Sequence, residues 1–158
     1  MVGSEPGAVI DGILSSMAFL NASDQQEVRK QFEQLLHPVK LTVFSQSLAA
    51  ADLCRQNEQL VQEVADLSDK ISVEVLNLAI DRERAEAYGV EEVPAIVVEG
   101  ERDYGLRFYG VPSGYEFGNL IDSIIVASTG EPDLSDDTKA SLAALAGDVD
   151  IKVFSTPT

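Results

Sequence analysis

The stretch that decides the fold is AEAYGVEEVPAIVVEG, residues 85–100. Its first part completes the short helical pattern DRERAEAY, which Gly89 ends, because glycine readily takes the left-handed conformation that closes a helix. Its second part places Pro94 directly before a run of β-branched residues, which is typical of a buried strand. The stretch therefore predicts a short helix, a tight connection and a strand, and its neighbours indicate what kind of sheet that strand enters.

Two further strand patterns lie upstream and are joined by a helix. VKLTVF (39–44) is rich in β-branched residues, and KISVEVLNL (70–78) alternates Ile71, Val73 and Val75. The helix between them is predicted from one apolar stripe, formed by Leu53, Leu60, Val61, Val64 and Leu67. Two strands joined by a helix are expected to be parallel, with a right-handed crossover.

Downstream, the pattern changes to a hairpin followed by a helix. PAIVVEG (94–100) and YGLRFYG (104–110) are predicted strands around the charged turn EGERD (99–103). Because hairpin strands are antiparallel, the sheet should be mixed, with helices on both faces. The helix predicted in SGYEFGNLIDSIIVAS (113–128) should turn these residues inward: Phe117, Leu120, Ile121, Ile124 and Ile125.

The chain divides into an N-terminal extension (1–22), a complete α/β unit (23–129) and a C-terminal piece (130–158). The unit opens with a helix for which Ser23 is the predicted N-cap and Gln26 its capping-box partner. After a polar linker, SDDTKASLAALAGDVDIKVFS restates SDQQEVRKQFEQLLHPVKLTVFS from the start of the unit. The C-terminal piece is therefore predicted to begin a second, truncated unit. The alternative is a helix and strand that extend the first sheet.

Composition and charge exclude several classes of function. With 27 acidic and 11 basic residues, the formal charge of −16 repels nucleic acids and anionic membranes, so neither is an expected partner. One cysteine and one histidine exclude an internal disulfide and a histidine zinc site, and no metal or cofactor is expected. The N-terminal stretch has no basic region before its apolar residues, which argues against a signal peptide and favours the cytoplasm.

Parts of the sequence resemble the tandem-thioredoxin, glutaredoxin-like protein disulfide oxidoreductases. The resemblance lies in HPVKLTVFSQS (37–47), in residues 85–100, and most specifically in YGLRFYGVPSGYEFGNLIDSII (104–125). It implies a thioredoxin-like α/β fold with an extra N-terminal helix, and the first helix and strand of a second such unit. It also implies a parent protein that exchanges disulfides with protein or peptide thiols. In that family each unit normally carries a CxxC motif.

The resemblance places Cys54 at the second, resolving position of this motif and Ala51 at the first, attacking position. The attacking cysteine needs a helix N-terminus to lower its pKa, and the resolving cysteine then releases the mixed disulfide. A unit with alanine at the attacking position is predicted to be catalytically degenerate. Val93 and Pro94, the latter with a cis peptide bond, are expected to complete a substrate groove with Ala51.

The sequence leaves three functions open. The first is a degenerate unit of a thiol–disulfide oxidoreductase in cell redox homeostasis, which serves structure, substrate docking or dimerisation. The second is a non-catalytic module that binds a peptide or a second copy of the chain. The third is a monothiol, glutaredoxin-like site at Cys54. Because an unfinished second unit would expose a strand edge, a homodimer through the truncated C-terminal segment is a further expectation.

Overall fold

The computed structural model describes residues 18–47 and 50–154. The N-terminal part of the predicted extension, residues 1–17, and the last residues of the predicted second unit, 155–158, lie outside this range. Within it, the chain forms α1 (Ala22–Phe32), β1 (Val39–Ser45), α2 (Ala51–Ala65), β2 (Ile71–Asn77), α3 (Arg82–Tyr88), β3 (Ala95–Glu99), β4 (Asp103–Tyr109), α4 (Tyr115–Thr129) and α5 (Asp136–Ala143).

The strands form a mixed sheet in the order β2-β1-β3-β4. β1 runs parallel to β2, with Leu41 opposite Val73, and antiparallel to β3, with Leu41 opposite Val98. β3 and β4 form the predicted antiparallel hairpin. The predicted α/β fold class, with a mixed central sheet flanked by helices, is confirmed.

The sheet separates two apolar layers of unequal size. The larger layer joins one sheet face to α1, α2 and α4, and contains Leu41, Val43 and Ile96 among its sheet residues. The smaller layer packs the opposite face against the α3 region, where the Phe44 and Tyr88 rings meet edge to face with their centroids 5.9 Å apart. Because its side chains alternate between the two faces of the sheet, β1 is buried along almost its whole length, at every residue except Lys40.

The edge strand β2 departs from the predicted alternation. Ile71 is buried and Val73 is half-buried, but Val75 is 52% exposed. Val75 lies near the end of the strand, beside a cavity next to α2. Its neighbour Leu76 is buried instead, in the smaller layer.

The predicted N-cap of α1 is wrong. Asn21 caps the helix, because its side-chain oxygen accepts from the amides of Ser23 and Asp24 at 2.9 and 3.0 Å. Asparagine is at least as good an N-cap as serine, and it stands two residues earlier. Ser23 therefore lies inside the first turn. At the end of α3, by contrast, Gly89 adopts the predicted left-handed conformation, with φ of 66°.

The C-terminal piece contains the predicted helix, α5, which Ser135 caps by accepting from the Thr138 amide at 3.2 Å. All residues from 130 to 154 are exposed, and residues 151–154 form no strand and do not extend the sheet. A strand needs a partner strand to form hydrogen bonds, so isolated residues of this kind are not expected to be regular. The second unit stays a prediction.

A charged cluster covers part of the sheet face that carries α3. Arg84 donates to both carboxylate oxygens of Glu74 at 2.5 and 2.7 Å, and Lys40 lies 2.7 Å from the same carboxylate. These two cations, with Arg84 contributing most, lower the pKa of Glu74 from 4.5 to about 2. The cluster joins β1, β2 and α3 at a surface where the Glu74 side chain is still 36% exposed.

We expect Glu74→Gln to destabilise the fold at neutral pH, by about 1 kcal/mol or less, the usual range for exposed pairs. Because the pKa of Glu74 is lower in the folded state, its contribution is complete above pH 4.5 and is lost as the pH falls towards 2. The difference in free energy of unfolding between the two proteins should therefore shrink across this window. Urea titrations at low protein concentration measure it.

The control is Glu92→Gln, which removes the same charge from an exposed loop position. A Glu74→Gln difference that stays constant from pH 6 to pH 2 would contradict the ion-pair explanation.

Candidate functional site

The only cysteine lies in the first turn of α2. The helix begins at Ala51, and the Cys54 amide already donates to the Ala50 carbonyl at 2.9 Å. The Cys54 side chain is 1% exposed, whereas Ala51 is half-buried. The residue at the N-terminal end of α2 is thus alanine, and the thiol lies about one turn further along, on the buried side of the helix.

The backbone just before α2 is strained. Ala50 has φ of 53°, in the left-handed region, and is the non-glycine residue with positive φ within residues 18–47 and 50–154. This conformation costs about 1–2 kcal/mol for a residue with a Cβ atom. Such strain tends to persist at functional sites, where the surroundings impose it. Ala50 also has no side chain that could cap the first amides of α2.

A cavity of about 480 Å³ lies beside the start of α2. Ala51, Cys54 and Glu58 line it from the helix, and Val75 and Asp81 from the β2 side. The Ser45 hydroxyl at the end of β1 donates to the Glu58 carboxylate, which fixes this acid one turn beyond the thiol. Arg55, at the mouth, pairs with Asp52 on the surface.

The peptide bond between Val93 and Pro94 is cis. Phe44 pairs with Ala95, so this bond lies at the same end of the sheet as the connection from β1 to α2. Pro94 is buried and Val93 is half-buried. The cavity at Ala51 opens towards β2, and neither Val93 nor Pro94 lines it. A substrate groove formed by Ala51, Val93 and Pro94 stays a prediction.

Asn57 was not singled out from the sequence, yet it is buried three residues after Cys54 on the same helix face. Neither polar atom of its side chain has a hydrogen-bond partner within the part of the chain that the structure describes. Its place in the inward series Cys54, Asn57, Val61 and Val64 could have revealed its burial. The polar residue type conceals this, because asparagine usually lies at the surface of a helix.

Metal centres and membrane-spanning helices are both absent from residues 18–47 and 50–154. No group of three or more histidine, cysteine, aspartate or glutamate side chains there could hold a metal ion. None of the helices in the same ranges has the length and apolar character needed to cross a bilayer.

Comparison with known proteins places these features in a family. No protein-family model matches the chain. A protein of Methanothermobacter marburgensis described as a probable thioredoxin is 34% identical over 88 residues, which are 55% of this chain and 96% of that protein. The chain therefore belongs to the thioredoxin family, which confirms the resemblance seen in the sequence.

Solved structures agree on the fold. The alkylhydroperoxide reductase component AhpF of Enterococcus faecalis superposes with a TM-score of 0.69 at 23% identity, over 80% of this chain and 61% of that chain. A protein disulfide oxidoreductase of Aeropyrum pernix gives 0.68 at 24% identity, over 80% and 56%. This chain thus spans less than two thirds of either protein.

We expect the Cys54 thiol to react slowly with iodoacetamide in the native state, on the order of 100-fold or more below an exposed thiol, since a local opening must come first. The rate should rise to that of a free cysteine in concentrated guanidinium. Mass spectrometry of timed samples measures both rates. Full alkylation of the native protein at the rate of an exposed thiol would contradict the buried placement.

Proposed function

We propose that this chain is the degenerate thioredoxin unit of a thiol–disulfide oxidoreductase, with Cys54 as the remnant of the resolving cysteine. The observation that carries the proposal is the pairing of a half-buried Ala51 at the start of α2 with a thiol one turn inside the helix. This is the spacing that a CxxC motif would have if its first cysteine were replaced. The unit then serves structure, substrate docking or dimerisation.

Disulfide exchange needs two thiols with different duties. A thiolate attacks a substrate disulfide to form a mixed disulfide, and a second thiol attacks that bond to release the reduced substrate. The helix N-terminus lowers the pKa of the first thiol. Here that position carries a methyl group, and Cys54, 1% exposed, cannot meet a protein disulfide without local opening. Neither the attack on a substrate disulfide nor the release of the mixed disulfide can be completed within residues 18–47 and 50–154.

The monothiol alternative requires Cys54 to reach solvent, so its burial argues against that function. The binding-module alternative is favoured by one observation: the start of α2 carries no thiol and lies at the sheet end where the Val93–Pro94 segment enters β3. A segment shaped to present backbone groups can bind an extended peptide by strand addition whether or not a thiol is present. The degenerate oxidoreductase unit and the binding module differ in whether the site has the geometry to form a disulfide.

The proposal extends to the parent protein. We infer that residues 130–158 begin a second thioredoxin-like unit, on the strength of their similarity to residues 23–45, and that the working thiols belong to that unit. A homodimer through this exposed segment is a competing arrangement. An unpaired cysteine is typical of a reducing compartment, which is why we propose the cytoplasm.

We expect no Cys54-dependent turnover in an insulin reduction assay driven by dithiothreitol. The wild-type chain and Cys54→Ser should both match the rate without protein, because a single buried thiol cannot resolve a mixed disulfide. Precipitation of the reduced insulin, followed as turbidity, or thiol release measures the rate. Robust turnover that Cys54→Ser abolishes would overturn the degenerate assignment and favour the monothiol function.

We expect Ala51→Cys to restore activity. The new thiol would lie at the helix N-terminus and three residues from Cys54, so oxidation should form one internal disulfide and insulin reduction should rise at least about tenfold over background. Thiol counting before and after oxidation tests the bond independently of turnover.

The matched control is Asp52→Cys, which adds a thiol one residue later. At that spacing the side chains point to different sides of the helix, so no bond to Cys54 should form. If Ala51→Cys is folded but forms no internal disulfide, the site does not have the geometry of an oxidoreductase and the binding-module function gains support.

A further inference from the structure

A second and more apolar groove lies between α1, α4 and the loop that precedes α4, with a volume of about 590 Å³. We call it the α1–α4 groove. Its floor includes Val28, Phe117 and Ile121, which also belong to the larger apolar layer, and the buried Leu60 of α2. Val111 and Pro112 close one end. Cys54, Val93 and Pro94 do not line it, so it is separate from the candidate redox site.

The rim of the α1–α4 groove is acidic. Asp24, Glu27 and Asp122 are exposed along it, and none of its lining residues is basic. Asp24 and Glu27 accept hydrogen bonds from neutral amides, those of Asn21 at 2.7 Å and Gln31 at 3.4 Å. Among residues 18–47 and 50–154, none of the three carboxylates lies in an ion pair. These carboxylates are therefore not neutralised by a direct ion pair.

The mouth of the groove is fixed by hydrogen bonds. The amides of Phe19 and Leu20 donate to the carboxylate of Glu63 on α2, at 2.9 and 3.0 Å. This anchors the chain that leads into α1 and holds Phe19 and Leu20 at the wall of the groove. A wall anchored to α2 in this way is pre-formed, which lowers the entropy that binding must overcome.

We propose that the α1–α4 groove binds an amphipathic helix of a partner protein whose apolar stripe is flanked by lysine or arginine. An apolar floor between two helices suits the apolar face of a third helix. The rim carboxylates, which lie in no direct ion pair, complement basic flanks and would fix the orientation of the helix. The net charge of −16 steers such a partner towards the chain. The inference is independent of any thiol chemistry.

The probe is a fluorescent synthetic helix of about 15 residues, the length at which isolated helices become stable, with a leucine stripe and lysine flanks. Two control peptides share its length: one has the same composition in scrambled order, and one replaces lysine by glutamate. Fluorescence anisotropy with the full chain should give a Kd of about micromolar for the probe and at least about tenfold weaker binding for both controls.

Gly118 allows the groove to be filled without harming the fold. It lines the groove within α4, and a Cβ atom added there would meet nothing within 4 Å. Gly118→Gln should preserve or raise the melting temperature, because glycine is a poor helix former, and should weaken probe binding at least about tenfold. Gly118→Ala is the control that stabilises the helix equally and leaves the groove open.

The rim is tested with Glu27→Gln combined with Asp122→Asn. This double variant should weaken the probe and flatten its salt dependence. Asp133→Asn with Asp148→Asn removes the same charge from exposed positions outside the groove and should change little. Equal losses in both double variants would mean that only the net charge attracts the probe, which overturns the proposal.

Other occupants give different results. Failure of the full chain to bind the probe, or binding that Gly118→Gln does not weaken, overturns the proposal. Binding that appears only after Ile13→Asp and Leu14→Asp would assign the groove to the chain's own N-terminal segment. Self-association in sedimentation that Gly118→Gln abolishes would assign it to a second copy. Either result overturns the partner helix, whereas the insulin and Ala51→Cys results would stand unchanged.

Discussion

The burial of β1 on both faces is the constraint on which the rest of the structure depends. Residues 39–45 pair with β2 on one side and β3 on the other, and every side chain except Lys40 is buried. Such a strand cannot tolerate water on either face, so helices must cover both. The larger layer needs α1, α2 and α4 together, whereas the smaller one needs little more than α3. The start of α2 follows directly from this arrangement, because the chain leaving β1 must turn back over the larger layer.

That turn places the candidate site at the start of α2, where the side chains carry no thiol. Ala50 and Ala51, at the start of α2, carry methyl groups at the place that the proposed function assigns to the attacking thiol. The architecture around the position is intact: the helix start, the cis bond at Pro94 and the acid Glu58 held by Ser45. The scaffold folds without a thiol at the start of α2, and Cys54 is buried within it.

The sequence predicted the fold well because, over most of the chain, the hydrophobic periodicity agrees with the glycine and proline residues that mark the ends of helices and strands. β3 is apolar up to its last residue, Gly89 ends α3, and the helical and hairpin connections predict the parallel β1–β2 pair and the antiparallel β3–β4 pair, although not the pairing of β1 with β3. The predictions that were wrong or missing concern single residues, where local signals conflict. Asn21 and Ser23 are both good caps, and pattern alone cannot rank them. Val75 fits the alternating pattern of the sequence, but this pattern does not show which part of an edge strand lies beside a cavity. Asn57 is polar in type and buried in position, and the rim of the α1–α4 groove joins residues nearly 100 positions apart.

The exposed C-terminal segment has a consequence for the behaviour of the protein in solution. Ile151, Val153 and Phe154 are 79%, 85% and 92% exposed. They lie in a short stretch of high β propensity, which is typical of aggregation-prone segments. Asp148 and Asp150 precede them, although Asp150 pairs with Lys152 at 3.4 Å, and the strong negative charge of the whole chain opposes association between copies. This protection is colloidal and vanishes near the isoelectric point of about 4.2. Acidification towards this pH should therefore promote association of the protein through its exposed C-terminal segment.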